Sequence, residues 1–466
     1  MKDMSYHALM GRRNEIMKAA VGLNYSHFEL GGLAFDYEAM MAAPGLDLAQ
    51  IAAIQRDYAI GNTPLIELKN VSALARAIAP SGMGARILVK DEACNPSGSF
   101  KARRAALSVH TAKKLGYKGV VTATSGNYGA AVASCAAKAG LKCIVVQECF
   151  DSRGVGQPEI VEKARKCEAF GAEVLQLSVG PELFYVFLKL LEETCYFNAS
   201  LYTPYAILGI QTLGAEIATQ CRMQLGRDPD MVVCTNAGGG NLTGTAQGLK
   251  ALGCNAQVVA ASVDLKGLHM ASDGQFNRKS FTTGHTGFGM PYTTWPDRSD
   301  VPRSAARPLR YMDSYYTVTQ GEVFFMTETL AALEGMERGP AGNTSLVAAF
   351  SLAQGMPSDQ VIVVQETEYT GAGKHHNAQL AFAESQGIDI RFGDPREEVP
   401  GKSIVLPQAP ELIQAQKVDL DHLRHSLIKK ATERCTGVLS AQDIAFLSQE
   451  CNCDEDFILS AYGEGV

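Results

Sequence analysis

A single tryptophan, Trp295, stands in a chain of 466 residues, and charged residues make up only 20% of it. No dense lysine or arginine run occurs. The 42 Lys+Arg are outnumbered by 49 Asp+Glu, for a formal net charge of −7. A nucleic-acid partner needs a basic face, so none is expected. The opening MKDMSYHALMGRRNEIMK has no apolar core, so no secretory signal is expected. The uncharged stretch between Lys118 and Lys138 comes nearest to a membrane span. Thr122, Thr124, Ser125, Asn127 and several glycines interrupt it, which predicts strand, turn and helix instead. Twelve cysteines are scattered from Cys94 to Cys453 without a disulfide framework, the pattern of reduced, mostly buried thiols. Cys451-Asn452-Cys453 lacks partners at zinc spacing and His375-His376 sits in a polar stretch, so no metal site is expected. These absences leave a soluble, cytoplasmic protein of two or three folding units.

What is abundant is apolar residue (46%) and glycine (45 residues, often clustered). Residues 1–57 carry helical spacing (Ile16, Ala19, Ala20; Leu48, Ile51, Ile54) and read as a helical extension. Beyond them, short β-rich runs alternate with helices. Strands are expected at Ile87–Val89, Gly119–Ala123, Cys143–Gln147, Ala172–Leu177, Met231–Thr235, Val258–Val263 and Val361–Gln365, and helices at Ala102–Leu115 and Ala130–Ala139. Strands without polar alternation, separated by helices, indicate an α/β fold with parallel sheets buried on both faces. From about 385 the periodicity turns mainly helical (Leu423, Leu427, Ile428, Ala431), and Leu447, Phe457 and Ile458 read as an exposed docking surface, with a cap on the core or a homodimer interface as the alternative.

Four segments look built to hold a small anionic ligand. In Asn95-Pro-Ser-Gly-Ser-Phe-Lys-Ala-Arg103, a turn opens a helix with Lys101 in its first turn. A solvated lysine is the simple reading. Yet a cation there opposes the helix dipole, which gives Lys101 a reason to react as a free amine with a carbonyl. Thr124-Ser125-Gly126-Asn127 follows a strand and opens an alanine-rich helix, a set of hydroxyl, amide and N–H donors suited to a carboxylate. An ordinary N-cap would explain a serine and a glycine there, but not four such positions in a row. Gly238-Gly239-Gly240-Asn241 again follows a strand, and three glycines let the main chain wrap phosphate oxygens. The spacing fits neither the dinucleotide nor the nucleoside-triphosphate fingerprint, which favours a phosphomonoester. Last, Gln365-Glu366-Thr367-Glu368 follows a strand at the sheet edge where open α/β sheets bind ligands.

Taken in order, these segments resemble the pyridoxal-phosphate enzymes of the tryptophan-synthase-β type (fold type II), which include threonine and cysteine synthases. Gly61-Asn-Thr-Pro-Leu65 is similar to the family's opening motif, Pro96–Arg103 to its lysine segment, and Glu334-Gly335 through Gly342 to the later segment facing the cofactor. The likeness runs from about 58 to 380. It implies two open, mostly parallel sheets flanked by helices: a large cofactor-binding domain (58–106 and 214–384), a small substrate-loop domain (107–213), and helical extensions at 1–57 and 385–466. It also implies that Lys101 holds pyridoxal 5′-phosphate covalently, that Gly238, Gly239, Gly240 and Asn241 bind its phosphate, and that Asn127 meets the ring oxygen. Thr124, Ser125, Gly126 and Asn127 would receive the substrate carboxylate. The ring nitrogen falls to Thr367, with neighbouring Glu366 as the alternative. Over the whole length, extensions included, the chain is similar to a thiolase branch of the family. That likeness implies an amino-acid substrate, coenzyme A, a role in amino-acid degradation, a smaller companion subunit and homo-oligomerisation. A β-replacement or elimination catalyst is the rival within the family. A binding subunit without catalysis is the rival outside it, and Lys101 speaks against that one.

Overall fold

The structure is a computed structural model that describes residues 2–463 apart from 125, 267–272, 283–299, 370–375 and 434–437; Ser125, Trp295 and His375 therefore lie outside the described residues. Two sheets organise the chain. The larger has seven strands in the order Gln416–Lys417, Ser314–Val318, Gln257–Val263, Met231–Thr235, Val361–Glu366, Arg86–Asp91 and Leu65–Glu67. Its five central strands are mutually parallel and only the two outer strands run antiparallel. The smaller sheet is wholly parallel, in the order Glu173–Ser178, Lys142–Phe150, Gly119–Thr124 and Phe197–Asn198.

The continuous apolar runs have a direct cause. Successive side chains of a strand point to opposite faces, and here both faces are covered. Ile87, Val89, Val233 and Val364 enter one core with helices Lys69–Ile78 and Thr344–Ala353. Their neighbours Leu88, Val232, Cys234 and Val363 enter the other core, beneath helices Pro204–Leu225 and Gly240–Ala251. These two helices approach closely because Gly214, Gly244 and Gly248 leave no room for a Cβ: one at Gly244 would stand 2.8 Å from Ile207 O. The strands expected from sequence all form, and the lysine helix spans Lys101–Lys114.

The N-terminal helices Tyr6–Gly11 and Arg13–Val21 lay Leu9, Ile16 and Met17 against helix Glu182–Thr194 and the small sheet. The expected docking surface is not there. Leu447 and Ile458 are fully buried and Phe457 is partly buried, all within the main core. Their helices, Ala441–Cys451 and Glu455–Gly463, turn apolar faces inward, where Phe446 stacks on Tyr37 of the N-terminal segment at 6.3 Å between centroids. Asp443 Oδ1 also accepts the backbone N–H of Leu33 at 2.7 Å. Helical spacing shows which residues share a face, but not what that face meets. Ahead of these helices, 385–417 also holds a parallel strand pair, Asp389–Gly393 with Ser403–Pro407. Ile390 and Ile404 from that pair pack beside Phe324.

Candidate active site

The four segments converge at the carboxyl ends of the parallel strands. Lys101 is the first residue of its helix, after a turn with Gly98 at φ +74°. That turn is fixed by backbone pairing to the fourth segment: Phe100 N–H donates to Thr367 O at 3.1 Å and Tyr369 N–H to Gly98 O at 2.8 Å. The Lys101 ammonium lies 4.6 Å from the Phe100 ring centroid. The fourth segment meets the third through side chains, since Asn241 Nδ2 donates to Gln365 Oε1 at 2.6 Å. Gln365 Nε2 in turn donates to Thr245 Oγ1 at 2.8 Å.

The three glycines form a cradle. Gly239 has φ +79° and caps helix Gly240–Ala251, so its backbone favours glycine. A Cβ on Gly238 would run into the Tyr202 hydroxyl and one on Gly239 into Pro308, while one on Gly240 would stand 3.0 Å from Arg104 Cζ. Arg104 reaches from the lysine helix to Gly240 and, at 5.9 Å, to the ring of Tyr128 beside Asn127. The lysine, glycine and asparagine segments thus meet around one side chain.

Buried polar atoms without a partner gather at these loops. They include Ser97 Oγ, Ser99 Oγ, Asn127 Nδ2, Thr235 Oγ1, both side-chain polar atoms of Asn236, and Glu366 Oε1. Such atoms are costly unless a ligand or water satisfies them. A helix N-terminus with a glycine cradle, the lysine helix reaching it through Arg104, and unpartnered buried polar atoms on the surrounding loops together fit a phosphorylated aldehyde. Asn241 keeps only its Oδ1 unpartnered. Thr124 Oγ1 accepts the Gly126 N–H at 3.0 Å and so closes its own turn, leaving Gly126 and Asn127 to open helix Asn127–Ala139. Thr367 is buried next to Glu366. The Glu366 carboxyl is pushed well above the usual range by burial and, to a lesser degree, by Asp91. Gly342 has no side chain because Glu366 occupies that space, which brings the 334–342 segment into the site.

Two charged neighbours were not read from the sequence. Lys166 Nζ donates to Ser97 O at 2.8 Å, and Lys163 Nζ would lie 3.2 Å from a Cβ on Gly126. Both come from helix Pro158–Ala169, where spacing alone marks them as solvated. Cys94, exposed before the lysine turn, donates to Asp91 Oδ2 at 3.1 Å; burial and this contact push its thiol up to about 11. Such a thiol is a poor nucleophile near neutral pH.

Comparison with known proteins gives the family. The model of the family "Pyridoxal-phosphate dependent enzyme" matches residues 56–368. The chain belongs to that family. Two relatives match it nearly end to end, each named 2-amino-4-ketopentanoate thiolase beta subunit. The one from Acetoanaerobium sticklandii is 66% identical over 99% of both chains, and one from an unknown prokaryotic organism is 61% identical over 98% of both. Among solved structures, O-ureido-L-serine synthase superposes with a TM-score of 0.53 over 68% of this chain and 91% of its own. At 24% identity that likeness speaks to the fold. No helix among the described residues is long and apolar enough to cross a membrane.

Proposed function

We propose that this chain is the catalytic subunit of a two-subunit, pyridoxal-phosphate-dependent thiolase. It cleaves 2-amino-4-oxopentanoate with coenzyme A to alanine and acetyl-CoA, a step of ornithine breakdown. The observation that carries this reading is the 66% identity over 99% of both chains, which includes the two extensions outside the family core. In the reaction the coenzyme A sulfur bonds to C4, the C3–C4 bond breaks, and C3 keeps the electron pair and takes up a proton. Pyridoxal phosphate, when bound, would supply the electron sink that makes carbanions near the substrate nitrogen accessible.

The chain's own residues do the rest. Lys101 holds the cofactor in the resting enzyme and moves the proton at Cα. Gly238, Gly239 and Gly240 offer N–H groups to the phosphate at a helix N-terminus, with Asn241 beside them. Asn127 donates to the ring oxygen, and Thr124, Ser125, Gly126 and Asn127 take the substrate carboxylate. Thr367 meets the ring nitrogen; Glu366 is its rival, and the absorption spectra of Thr367→Val and Glu366→Gln tell the two apart. The net charge of −7 and the absence of a basic run favour a companion subunit as the source of the coenzyme A site. The enzyme is cytoplasmic and assembles further as a homo-oligomer.

The test is product analysis. The purified chain is incubated with 2-amino-4-oxopentanoate and coenzyme A, with and without the smaller companion subunit. Alanine and acetyl-CoA should form in equal amounts only in the complete mixture. Full rate without the companion overturns the two-subunit reading. Failure of the pair, together with turnover of a β-substituted amino acid, overturns the thiolase reading in favour of β-replacement.

A further inference from the structure

Arg103 and Arg104 are adjacent, both deeply buried, and treated in opposite ways by the fold. Arg103 carries its own counter-charges, Glu92 and Glu216, at 2.7 and 2.8 Å. Arg307, equally buried, meets Glu450. Arg104 is 4% exposed, and among the described residues no carboxylate faces it. Its surroundings among the described residues are neutral: the Leu201 carbonyl, which accepts from Nη2, the rings of Tyr128 and Tyr202, and the side chain of Ile207 against Gly240. Arg104 Nε has no partner. A buried charge without an opposite charge is strongly unfavourable, so a guanidinium held this way calls for an anion that the chain does not provide.

The position says which anion. Arg104 lies three residues after Lys101 on one helix, so the two share a face with about 5–6 Å between their Cβ atoms, the scale of a pyridoxal ring. Its guanidinium lies against Gly240, where any side chain would displace it, at the N-terminus of helix Gly240–Ala251. That terminus offers roughly half a positive charge, far less than a phosphate dianion carries.

We propose that Arg104 is a phosphate-binding residue, supplying the cationic side of the cradle for the cofactor's 5′-phosphate. The proposal rests on the pyridoxal-phosphate reading above. It makes the glycine loop only part of the site: the lysine helix holds both ends of the cofactor, the aldehyde carbon through Lys101 and the phosphate through Arg104. The family-like lysine motif ends at Arg103, the arginine the fold uses for its own ion pairs.

The test compares two ligands that differ only by the phosphate. Cofactor-free wild-type, Arg104→Gln and Arg104→Lys proteins are titrated with pyridoxal 5′-phosphate and with pyridoxal, following absorbance. Arg104→Gln should weaken pyridoxal 5′-phosphate by about 10–100-fold, the scale of one lost charge-assisted hydrogen bond. Its affinity for pyridoxal should change by less than about 2-fold, since no phosphate is present to lose a partner. Arg104→Lys should recover part of the difference. Equal losses for both ligands, or no loss for either, overturn the proposal. Should Arg104→Gln not fold, the ³¹P resonance of the bound cofactor decides: it should move between wild type and Arg104→Lys, and an unchanged position overturns the proposal. Failure of the unmodified protein to bind pyridoxal 5′-phosphate at all would overturn the cofactor reading and this one with it.

Discussion

Replacing Arg103 by methionine should cost about 4–5 kcal/mol of folding stability, because it strands a carboxylate that has no access to water. Arg103 donates Nε and Nη2 to the two oxygens of Glu92, both at 2.7 Å, and reaches Glu216 from Nη1 and Nη2 at 2.9 and 2.8 Å. Further bonds run to Thr212 Oγ1 at 3.1 Å and Thr63 Oγ1 at 3.3 Å. Burial opposes the charge on Arg103, but the two glutamates more than offset it. Without the guanidinium, the Glu92 carboxylate keeps the hydrogen bonds from Thr63 Oγ1 at 2.6 Å and the Asn95 amide at 2.9 Å, with Lys90 as a remaining nearby cation. Breaking a buried pair from one side typically costs about 3–5 kcal/mol. Glu216 adds roughly 1 kcal/mol or less, being partly exposed and still bonded to Lys90 at 2.7 Å. Methionine keeps most of the packing of the arginine stem, so the change isolates the charge. The assay is denaturant unfolding of the cofactor-free protein, with Glu92→Gln/Arg103→Met measured alongside. The double variant should recover about 2 kcal/mol or more, since the stranded charge is gone. A loss below about 1 kcal/mol for Arg103→Met, or a double variant no better than the single, refutes the argument.

Two further outcomes follow from local geometry. Gly239→Ala combines a left-handed backbone (φ +79°) with a clash against the rigid Pro308 ring, so it should cost about 1–3 kcal/mol and lower pyridoxal-phosphate affinity in a titration; unchanged affinity would place the phosphate elsewhere. Glu148, buried on strand Lys142–Phe150, has its carboxyl pushed from 4.5 to about 7, mainly by burial. Its folded-state pKa is raised, so its contribution is fully present below pH 4.5 and is lost as pH rises toward about 7. Glu148→Gln should therefore raise stability above pH 7 by up to about 3 kcal/mol and flatten the pH 4.5–7 slope in thermal melts. An unaltered slope would show that Glu148 is not the group responsible.

The sheets were legible because most of their strands have continuous apolar centres, a pattern that fits a doubly covered parallel sheet. The site loops were legible for a related reason. Glycine and polar clusters placed directly after such strands have no role in a core, and Gly126–Asn127 and Gly238–Asn241 carry that mark, while Lys101 follows a Pro-Ser-Gly-Ser turn that opens its helix. What stayed hidden depends on which surface meets which. Leu447 and Ile458 look like a free apolar face until the N-terminal segment is seen packed within the same core. The Asp389–Gly393 strand, five residues with Ile390 and Phe392 alternating, is too short to stand out beside the helices that follow. Sequence places Arg103 inside the lysine motif and Arg104 just outside it, but the carboxylates around the first and the glycine beside the second show only in three dimensions. Lys163 and Lys166 reach the site because helix Pro158–Ala169 packs beside it, a tertiary fact with no local signature.

The most direct test of the account is to fix the cofactor in place. Protein loaded with pyridoxal 5′-phosphate is reduced with borohydride, digested and mapped by mass. The account predicts loss of the yellow colour and a pyridoxyl group on the peptide that carries Lys101, with none in Lys101→Ala. A label on any other lysine, or none in protein that had bound the cofactor, would contradict it.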